Sequence, residues 1–169
     1  MHHPASPPSD WIVRWAASRP AGTALDLACG SGRHLRWLAG RGWQVTGVDR
    51  DAAALAGLAG LGECLVADIE GGPWPLADRQ FDLVVVTNYL WRALMPTIAG
   101  AVAPGGCLLY ETFAAGHETL GRPSRPDFLL RPGELLRAFD GFQVLGYESG
   151  RLDGPARIVD RKSTRLNSS

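Results

Sequence analysis

The order of apolar and polar positions along the chain alternates between two periods. Short runs rich in β-branched or alternating apolar residues are typical of strands, and runs with apolar residues three and four apart are typical of helices. Five strand-like runs follow one another with helical segments between them: TALDLAC, WQVTGVD, ECLVAD, FDLVVVTN and CLLYETF. This alternation predicts a parallel sheet that is covered by helices on both faces, with right-handed connections.

The two flanks of this region have patterns of their own. Near the start, Trp11, Ile12 and Trp15 have helical spacing, which predicts a helix over about residues 9–18 with Asp10 as its N-cap. Residues 114–130 are rich in turn residues and show no period, which is typical of a functional or disordered loop. A further helix in RPGELLRAFDG and a strand in FQVLGYES follow that loop.

The last ten residues, DRKSTRLNSS, lose the apolar alternation abruptly. They resemble the peptide that results when a sequencing adapter is translated in frame, although a natural polar tail is the alternative. We therefore expect residues 1–159 to form a single domain, and we set residues 160–169 aside as a non-native tail.

The composition of the chain limits the kinds of molecule that the protein is expected to bind. The chain has 169 residues, 46% hydrophobic and 20% charged, which is typical of one ordinary globular domain. Because 17 Lys and Arg balance 17 Asp and Glu, there is no overall attraction for nucleic acid or for an acidic membrane surface. No apolar run approaches the roughly 20 residues of a membrane helix, and we interpret His2 and His3 as part of a disordered end. The three widely spaced cysteines predict no disulfide framework and no metal site, so we expect a cytoplasmic protein.

The segment LDLACGSGRHLRWL, residues 25–38, runs from a strand through a glycine pair into a helix. A dinucleotide-binding turn has a third glycine where this chain has Leu35, which weakens that interpretation without excluding it. Asp26, inside the strand, would repel a pyrophosphate but would attract an ammonium or sulfonium group. The residues therefore favour a ligand that carries positive charge.

The run from Asp26 to Gly32 resembles the first motif of the class I S-adenosylmethionine-dependent methyltransferases, an acid followed by x-[AG]-x-G-x-G. Four further landmarks of that family follow in order over about residues 23–113: VTGVDRD, VADIE, FDLVVVTN and LMPTIAGAVAPGGCLLYE. The resemblance implies an α/β fold, a Rossmann-like three-layer sandwich with a mostly parallel central sheet. Its last antiparallel strand normally lies beside the fifth, and a chain that ends near residue 159 would leave that strand truncated.

The resemblance also assigns the methionine end of the cofactor to the glycine turn. Gly30 and Gly32 lack a Cβ atom, so the backbone can approach the ligand, and the helix that follows offers free N–H groups to the methionine carboxylate. Asp26 would hold the methionine amino group, although it could instead accept from nearby backbone amides. Arg33 is either a partner of the carboxylate or a residue of the solvated helix face.

The remaining landmarks would hold the rest of the cofactor. Asp49 would accept from the two ribose hydroxyls, and Asp68 from the adenine amino group beside Ile69, unless Asp68 is only a turn residue. Thr87 and Asn88 would form the floor beside the sulfonium. The implied cofactor-binding residues are Asp26, Ala28, Gly30, Ser31, Gly32, Asp49, Arg50, Asp68, Ile69 and Thr87.

The acceptor side is less defined, because methyl transfer needs a base only when the acceptor must lose a proton early. The weak candidates for such a base are Asn88, Tyr89, Glu111 and His117. Glu111 could equally be a buried acid paired with Arg122 or Arg125, and His117 has the surroundings of an exposed histidine. An aromatic wall over the methyl group would come from Tyr89, Trp91, Phe113 and Phe128.

These residues together predict transfer of a methyl group to a small-molecule acceptor by a monomer or homodimer, without nucleic acid, membrane or metal. Two alternatives stay open. The first is an NAD(P)-dependent oxidoreductase or epimerase of Rossmann type, and the second is an inactive fragment that binds S-adenosylmethionine.

Overall fold

The computed structural model describes residues 6–154 and 157–167, so the predictions for His2 and His3 and for the last two residues of the tail lie outside it. Helices and strands alternate as the sequence predicts over most of the chain, but β3 and β4 are joined by a loop, residues 67–80, and no helix separates β6 from β7 among the described residues. The described α-helices are α1 (Asp10–Ala16), α2 (Arg33–Gly40), α3 (Ala52–Ala56), α4 (Met95–Gly100) and α5 (Glu134–Ala138). The strands are β1 (Thr23–Leu27), β2 (Gln44–Asp49), β3 (Glu63–Val66), β4 (Phe81–Thr87), β5 (Val102–Phe113), β6 (Gln143–Leu152) and β7 (Ile158–Arg165).

The strands form one sheet in the order β3-β2-β1-β4-β5-β7-β6. All pairs among β1 to β5 are parallel. Only β7, which lies between β5 and β6, is antiparallel to its neighbours. The predicted α/β fold with a mostly parallel sheet and an antiparallel strand beside the fifth is therefore confirmed.

The two faces of the sheet carry separate apolar cores, as the alternation of β4 illustrates. Leu83 and Val85 pack with α1 and α2 on one face. Val84 and Val86 pack with α4 and α5 on the other. Successive residues of a strand point to opposite faces, so the continuous apolar run FDLVVVT supplies both cores at once. The result is the predicted three-layer sandwich.

The end of the chain departs from the prediction. The strand expected to be truncated is eight residues long, because residues 160–165 continue it between β5 and β6. Asp160, Arg161 and Lys162 are buried there, and Lys162 donates a hydrogen bond to the Leu135 carbonyl at 2.9 Å. Setting residues 160–165 aside from the fold was therefore wrong, because backbone pairing on both sides of a strand outweighs a polar sequence. Their adapter origin stays a prediction.

Side chains cap the N-termini of α1 and α3. The first helix is shorter than predicted, and its N-cap is Ser9, whose hydroxyl accepts from the Trp11 N–H, rather than Asp10. Both are good capping residues, so the sequence alone could not separate the neighbours. Asp51 caps α3 through the N–H groups of Ala53 and Ala54. None of the helices in the described ranges is long and apolar enough to cross a membrane.

Candidate active site

The turn between β1 and α2 is built from residues with left-handed backbone. Ala28, Gly30 and Gly32 have φ values of 54°, 56° and 82°. The two glycines serve different purposes. A Cβ on Gly30 would meet no atom within 4 Å, whereas a Cβ on Gly32 would lie 2.5 Å from the side chain of Leu58. Gly32 is therefore required by packing against Leu58, and Gly30 is the position that leaves room for a ligand.

Asp49, at the end of β2, fixes this turn from the neighbouring strand. Its Oδ2 accepts the Gly30 N–H at 2.8 Å, and its Oδ1 accepts the Asp51 N–H at 2.9 Å. A carboxylate has about four lone-pair positions, so it can still accept two hydroxyl groups. The parallel pairing of β1 with β2 brings these distant residues together at the carboxyl ends of the strands.

A cavity of about 540 Å³ opens at this edge of the sheet, which is in the usual size range for small-molecule sites. It runs from the ends of β2 and β3 to the ends of β4 and β5. Its lining residues are Ala28, Asp49, Arg50, Ala67, Asp68, Ile69, Glu70, Asn88, Tyr89, Leu90, Thr112, Phe113, Pro123 and Phe128.

Asp26 lies beneath the turn on the face of the sheet that α2 covers. It is 2% exposed, and neither carboxylate oxygen has a hydrogen-bond partner. Burial raises its pKa to about 7, although the nearby Leu35 N–H and, more weakly, the Arg33 guanidinium act in the opposite direction. Arg33 in turn has a buried Nη2 without a partner. An unpaired buried carboxylate and an orphaned guanidinium N–H are costly, and an amino acid zwitterion would satisfy both.

Asp68 is a turn residue, which is the alternative to a cofactor-binding role given for it in the sequence analysis. Its Oδ1 accepts the N–H groups of Glu70 and Gly71, both at 3.0 Å. These backbone hydrogen bonds lower its pKa. The side chain is nevertheless exposed to the cavity with Ile69 beside it, so a turn role and a ligand role are compatible.

Thr87 lies apart from the cavity lining. Its hydroxyl is 3.4 Å from Nδ1 of His34, whose Nε2 accepts the Ser9 N–H at 3.0 Å. His34 is buried, and burial lowers its pKa to about 3, so it is neutral and links α2 to the start of α1. Ser31 and the other residues of the turn also lie outside the lining, with the exception of Ala28.

Two of the four candidate bases lie outside the cavity lining. Glu111 is fully buried and forms an ion pair with Arg161 at 2.6 Å, so it is a buried acid paired with β7 rather than with the loop arginines. Alternation along β5 places Glu111 on the α1 face, whereas Thr112 faces the cavity. Burial raises the pKa of Glu111 in spite of the guanidinium.

His117 is the second candidate base that lies outside the lining. The prediction that it is exposed was wrong, because the residue is 2% exposed. Its Nδ1 accepts the Ile158 N–H at 3.2 Å, so its Nε2 carries the proton and donates to the Arg122 carbonyl at 2.9 Å. Both ring nitrogens are used, and the ring packs against Phe113. His117 therefore anchors the loop.

The other two candidates, Asn88 and Tyr89, do line the cavity. Asn88 has a φ of 54° and accepts a hydrogen bond from Arg157 at its Oδ1. Burial raises the pKa of the Tyr89 hydroxyl further above its usual range. Of the predicted aromatic wall, Tyr89, Phe113 and Phe128 line the cavity and Trp91 does not.

The sequence reasoning missed Glu70, Leu90, Thr112, Pro123 and Arg157. Thr112 could have been found, because the alternation of CLLYETF puts it on the opposite face from Glu111. Arg157 gave no signal, since its contact with Asn88 spans 69 residues of sequence.

Residues 24–106 match a family model described as a methyltransferase domain. No curated protein matches the chain. TehB from Haemophilus influenzae has a similar structure, with a TM-score of 0.75 and 20% identity; the match covers 92% of this chain and 61% of TehB, so the chain spans less than two thirds of that protein.

Two further solved structures are similar over nearly their whole length. The N-methyltransferase NodS from Bradyrhizobium japonicum WM9 has a TM-score of 0.72 and 16% identity, and the match covers 92% of each chain. The glycopeptide N-methyltransferase MtfA, solved with S-adenosylhomocysteine, has a TM-score of 0.66 and 17% identity over 98% of this chain and 90% of MtfA.

The fold is that of the class I S-adenosylmethionine-dependent methyltransferases, and the match to the methyltransferase domain model lies within it. Residues 24–106 belong to the methyltransferase domain family, so the resemblance drawn from the sequence is confirmed. The predicted cofactor, S-adenosylmethionine, is that of this class.

Proposed function

We propose that the protein transfers a methyl group from S-adenosylmethionine to a small-molecule acceptor, and that the acceptor and the nucleoside end of the cofactor bind in the 540 Å³ cavity. The observation that carries this proposal is the continuity of the cavity. Three acidic residues and Ala28 line one end, and aromatic residues line the other. Displacement at a carbon requires two reactants in line within one space from which water is excluded.

The methionine end of the cofactor fits the surroundings of Asp26. Its ammonium group would pair with the buried, unpartnered carboxylate, and its carboxylate would meet Arg33 and the first N–H groups of α2. Gly30 leaves the open space through which the ligand reaches these groups. The roles of Ser31 and Gly32 are then to shape this turn.

The nucleoside end fits the ends of β2 and β3. Asp49 keeps lone pairs for the ribose hydroxyls while it holds the turn, and Arg50 lies beside it in the lining. Asp68 has a second oxygen free for the adenine amino group, with Ile69 as an apolar surface. Thr87 does not line the cavity, so its contribution to the site would be indirect, through the contact of its hydroxyl with His34.

When bound, S-adenosylmethionine supplies a methyl carbon that is already activated by a positive sulfur. The residues of this chain then have three tasks. The carboxylates of Asp49 and Asp68 hold the nucleoside, Asp26 holds the methionine end, and Leu90 and Phe113 exclude water. Asn88 and Tyr89 remain the candidates that touch the acceptor, with Asn88 able to orient it by hydrogen bonding.

The balanced charge of the chain supports a small acceptor rather than nucleic acid. A cytoplasmic location and a monomeric or dimeric state are part of the same proposal.

The proposal is tested by calorimetric titration of the folded protein with S-adenosylhomocysteine. We expect binding that Asp49→Ala weakens about 100-fold, because that change removes two charge-assisted hydrogen bonds to the ribose and loosens Gly30. Asp78→Ala, at an exposed position outside the cavity lining, is the matched control and should bind like the unmutated chain. If the folded protein binds NAD and not S-adenosylhomocysteine, the oxidoreductase alternative replaces this one.

A further inference from the structure

The end of the cavity that faces away from the acidic residues has a distinct chemistry. We define this acceptor end by six lining residues, Asn88, Leu90, Thr112, Phe113, Pro123 and Phe128. Two aromatic rings, a proline ring and a leucine provide flat apolar surfaces. The polar groups among these six side chains are the Asn88 amide and the Thr112 hydroxyl. Such a lining suits a flat apolar molecule with a polar group at one position.

The Asn88 side chain has a defined orientation. Arg157 donates from Nη2 to the Asn88 Oδ1, and a guanidinium has donors only, so the amide oxygen must face Arg157. The amide Nδ2 therefore faces the other way, and within the described residues it has no protein partner. The left-handed backbone of Asn88, with a φ of 54°, holds the residue at the end of β4. Because Asn88 lines the cavity, its two N–H donors are available to a ligand bound there.

Arg157 also fixes the aromatic surface beside Asn88. Its guanidinium carbon lies 5.0 Å from the ring centre of Phe113, and the ring of His117 packs 4.6 Å from the same ring. Asp153 accepts from Arg157 at 3.1 Å and also lies 3.1 Å from Arg161, so one carboxylate faces two cations. The other carboxylates around Arg161 are those of Asp10, Glu111 and Glu148.

The cavity consequently has opposite preferences at its two ends. Three carboxylates, Asp49, Asp68 and Glu70, and one cation, Arg50, line the cofactor end, which favours a positively charged ligand. The six residues of the acceptor end include no carboxylate and offer the N–H donors of Asn88, while the guanidinium of Arg157 is already paired with Asp153. We propose that the acceptor end binds a small aromatic carboxylate. The ring lies against Phe113 and Phe128, and the carboxylate accepts from the Nδ2 of Asn88. Arg157 is a positioning residue that keeps the amide in this orientation.

This assignment rests on the proposed function, because it concerns the acceptor of the same reaction. It is tested with the protein saturated with S-adenosylhomocysteine and three probes of similar shape: benzoate, benzamide and benzylammonium. In an NMR chemical-shift titration we expect benzoate to bind about tenfold more tightly than benzylammonium, with benzamide between them. A tenfold difference in affinity corresponds to the free energy of about one charge-assisted hydrogen bond. Shifts should map to residues 112–113 and 128.

Three variants at two positions separate ligand recognition from an effect on folding. Asn88→Asp keeps the size, tolerates the left-handed backbone and retains the contact with Arg157, but it presents an acceptor oxygen to the cavity. We expect it to abolish the preference for benzoate or to reverse it. Arg157→Met, which has no donor, should reduce the preference several-fold, and Arg157→Lys, which can still donate to Oδ1, should restore most of it.

The outcomes are distinguishable from failure of the proposed function. S-adenosylhomocysteine affinity is measured for each variant first; if the unmutated folded chain does not bind it, the proposed function fails. If S-adenosylhomocysteine binds but benzoate has no advantage over benzylammonium, or if Asn88→Asp keeps that advantage, the acceptor assignment is overturned and the proposed function stands.

Discussion

The two ends of the cavity are built in different ways. The cofactor end comes from residues at consecutive strand ends, and backbone does much of the work: Gly30, the start of α2 and the turn after β3 are fixed by local hydrogen bonds. The acceptor end is assembled from side chains around residues 88, 112, 123 and 128, and Arg157, from a further segment, holds Asn88 in place. A site made from backbone leaves a sequence motif, whereas a site made from distant side chains does not.

The ends also differ in how they are stabilised. Beneath the cofactor end lies Asp26, a buried acid without a hydrogen-bond partner, whose ionised form is costly until a ligand pairs with it. The acceptor end depends on one arginine that ties its loop to α5. Arg92 binds Glu134 with its Nε at 2.6 Å, and it donates to the carbonyls of Asp127 and Leu129 at 3.1 and 2.8 Å. Phe128 lies between those two carbonyls in sequence.

The largest expected effect is on the pH dependence of stability, to which the cofactor end contributes through Asp26. The folded state keeps a proton on Asp26 up to about pH 7, whereas the unfolded chain releases it near the ordinary value of 3.8. Stability without ligand should therefore fall as the pH rises from about 4 to 7, by up to roughly 4 kcal/mol from this group. Asp26→Asn should remove that contribution. Urea unfolding of both proteins at pH 5 and pH 8 measures it, and equal pH dependence would contradict the assignment.

The two glycines of the turn should differ in their effects. Gly32→Ala drives a Cβ to 2.5 Å from Leu58 at a φ of 82°, so we expect a loss of about 3 kcal/mol in the free energy of unfolding. Gly30→Ala adds only backbone strain, about 1 kcal/mol, but its Cβ enters the open space and should weaken S-adenosylhomocysteine binding at least as much as it affects stability. Thermal melting and calorimetry on the same samples separate the two. Equal loss of stability in both variants would show that Gly30 is also a packing residue.

A smaller loss of stability is expected from a change that affects the acceptor end alone. Arg92→Ala removes a bidentate ion pair and two bonds to carbonyl groups, and we expect about 2 kcal/mol of destabilisation with faster proteolysis within residues 120–131. Arg92→Lys should recover part of the loss, since it keeps the charge but not the fork of donors. Affinity for S-adenosylhomocysteine should be unchanged in both. A parallel loss of affinity would mean that the two ends are not independent.

Most of the fold and much of the cofactor end could be predicted from the sequence. Strand and helix periods are local, so the alternating order, the cap at Asp51 and the acid at the end of β2 were recognisable. The choice between Ser9 and Asp10 as the N-cap of α1 could not be predicted, because both residue types cap helices. The separate roles of Gly30 and Gly32 depend on the position of Leu58, which no local pattern specifies.

The acceptor end and the last strand could not be predicted for the same physical reason. The contact of Asn88 with Arg157, the satisfied ring of His117 and the pair of Glu111 with Arg161 all join segments far apart in sequence. Residues 160–165 have the polarity of a tail, but pairing with β5 and β6 satisfies their backbone, and carboxylates surround Arg161. Tertiary context overrides local composition at each of these places.

The division of the cavity is tested most directly by hydrogen exchange of the folded chain with and without S-adenosylhomocysteine. We predict protection of residues 28–34, 49–51 and 67–71, which form the cofactor end, and little change in residues 118–128 of the acceptor loop. Absence of protection in residues 28–34 and 49–51, or protection confined to the loop, would contradict the assignment of the two ends.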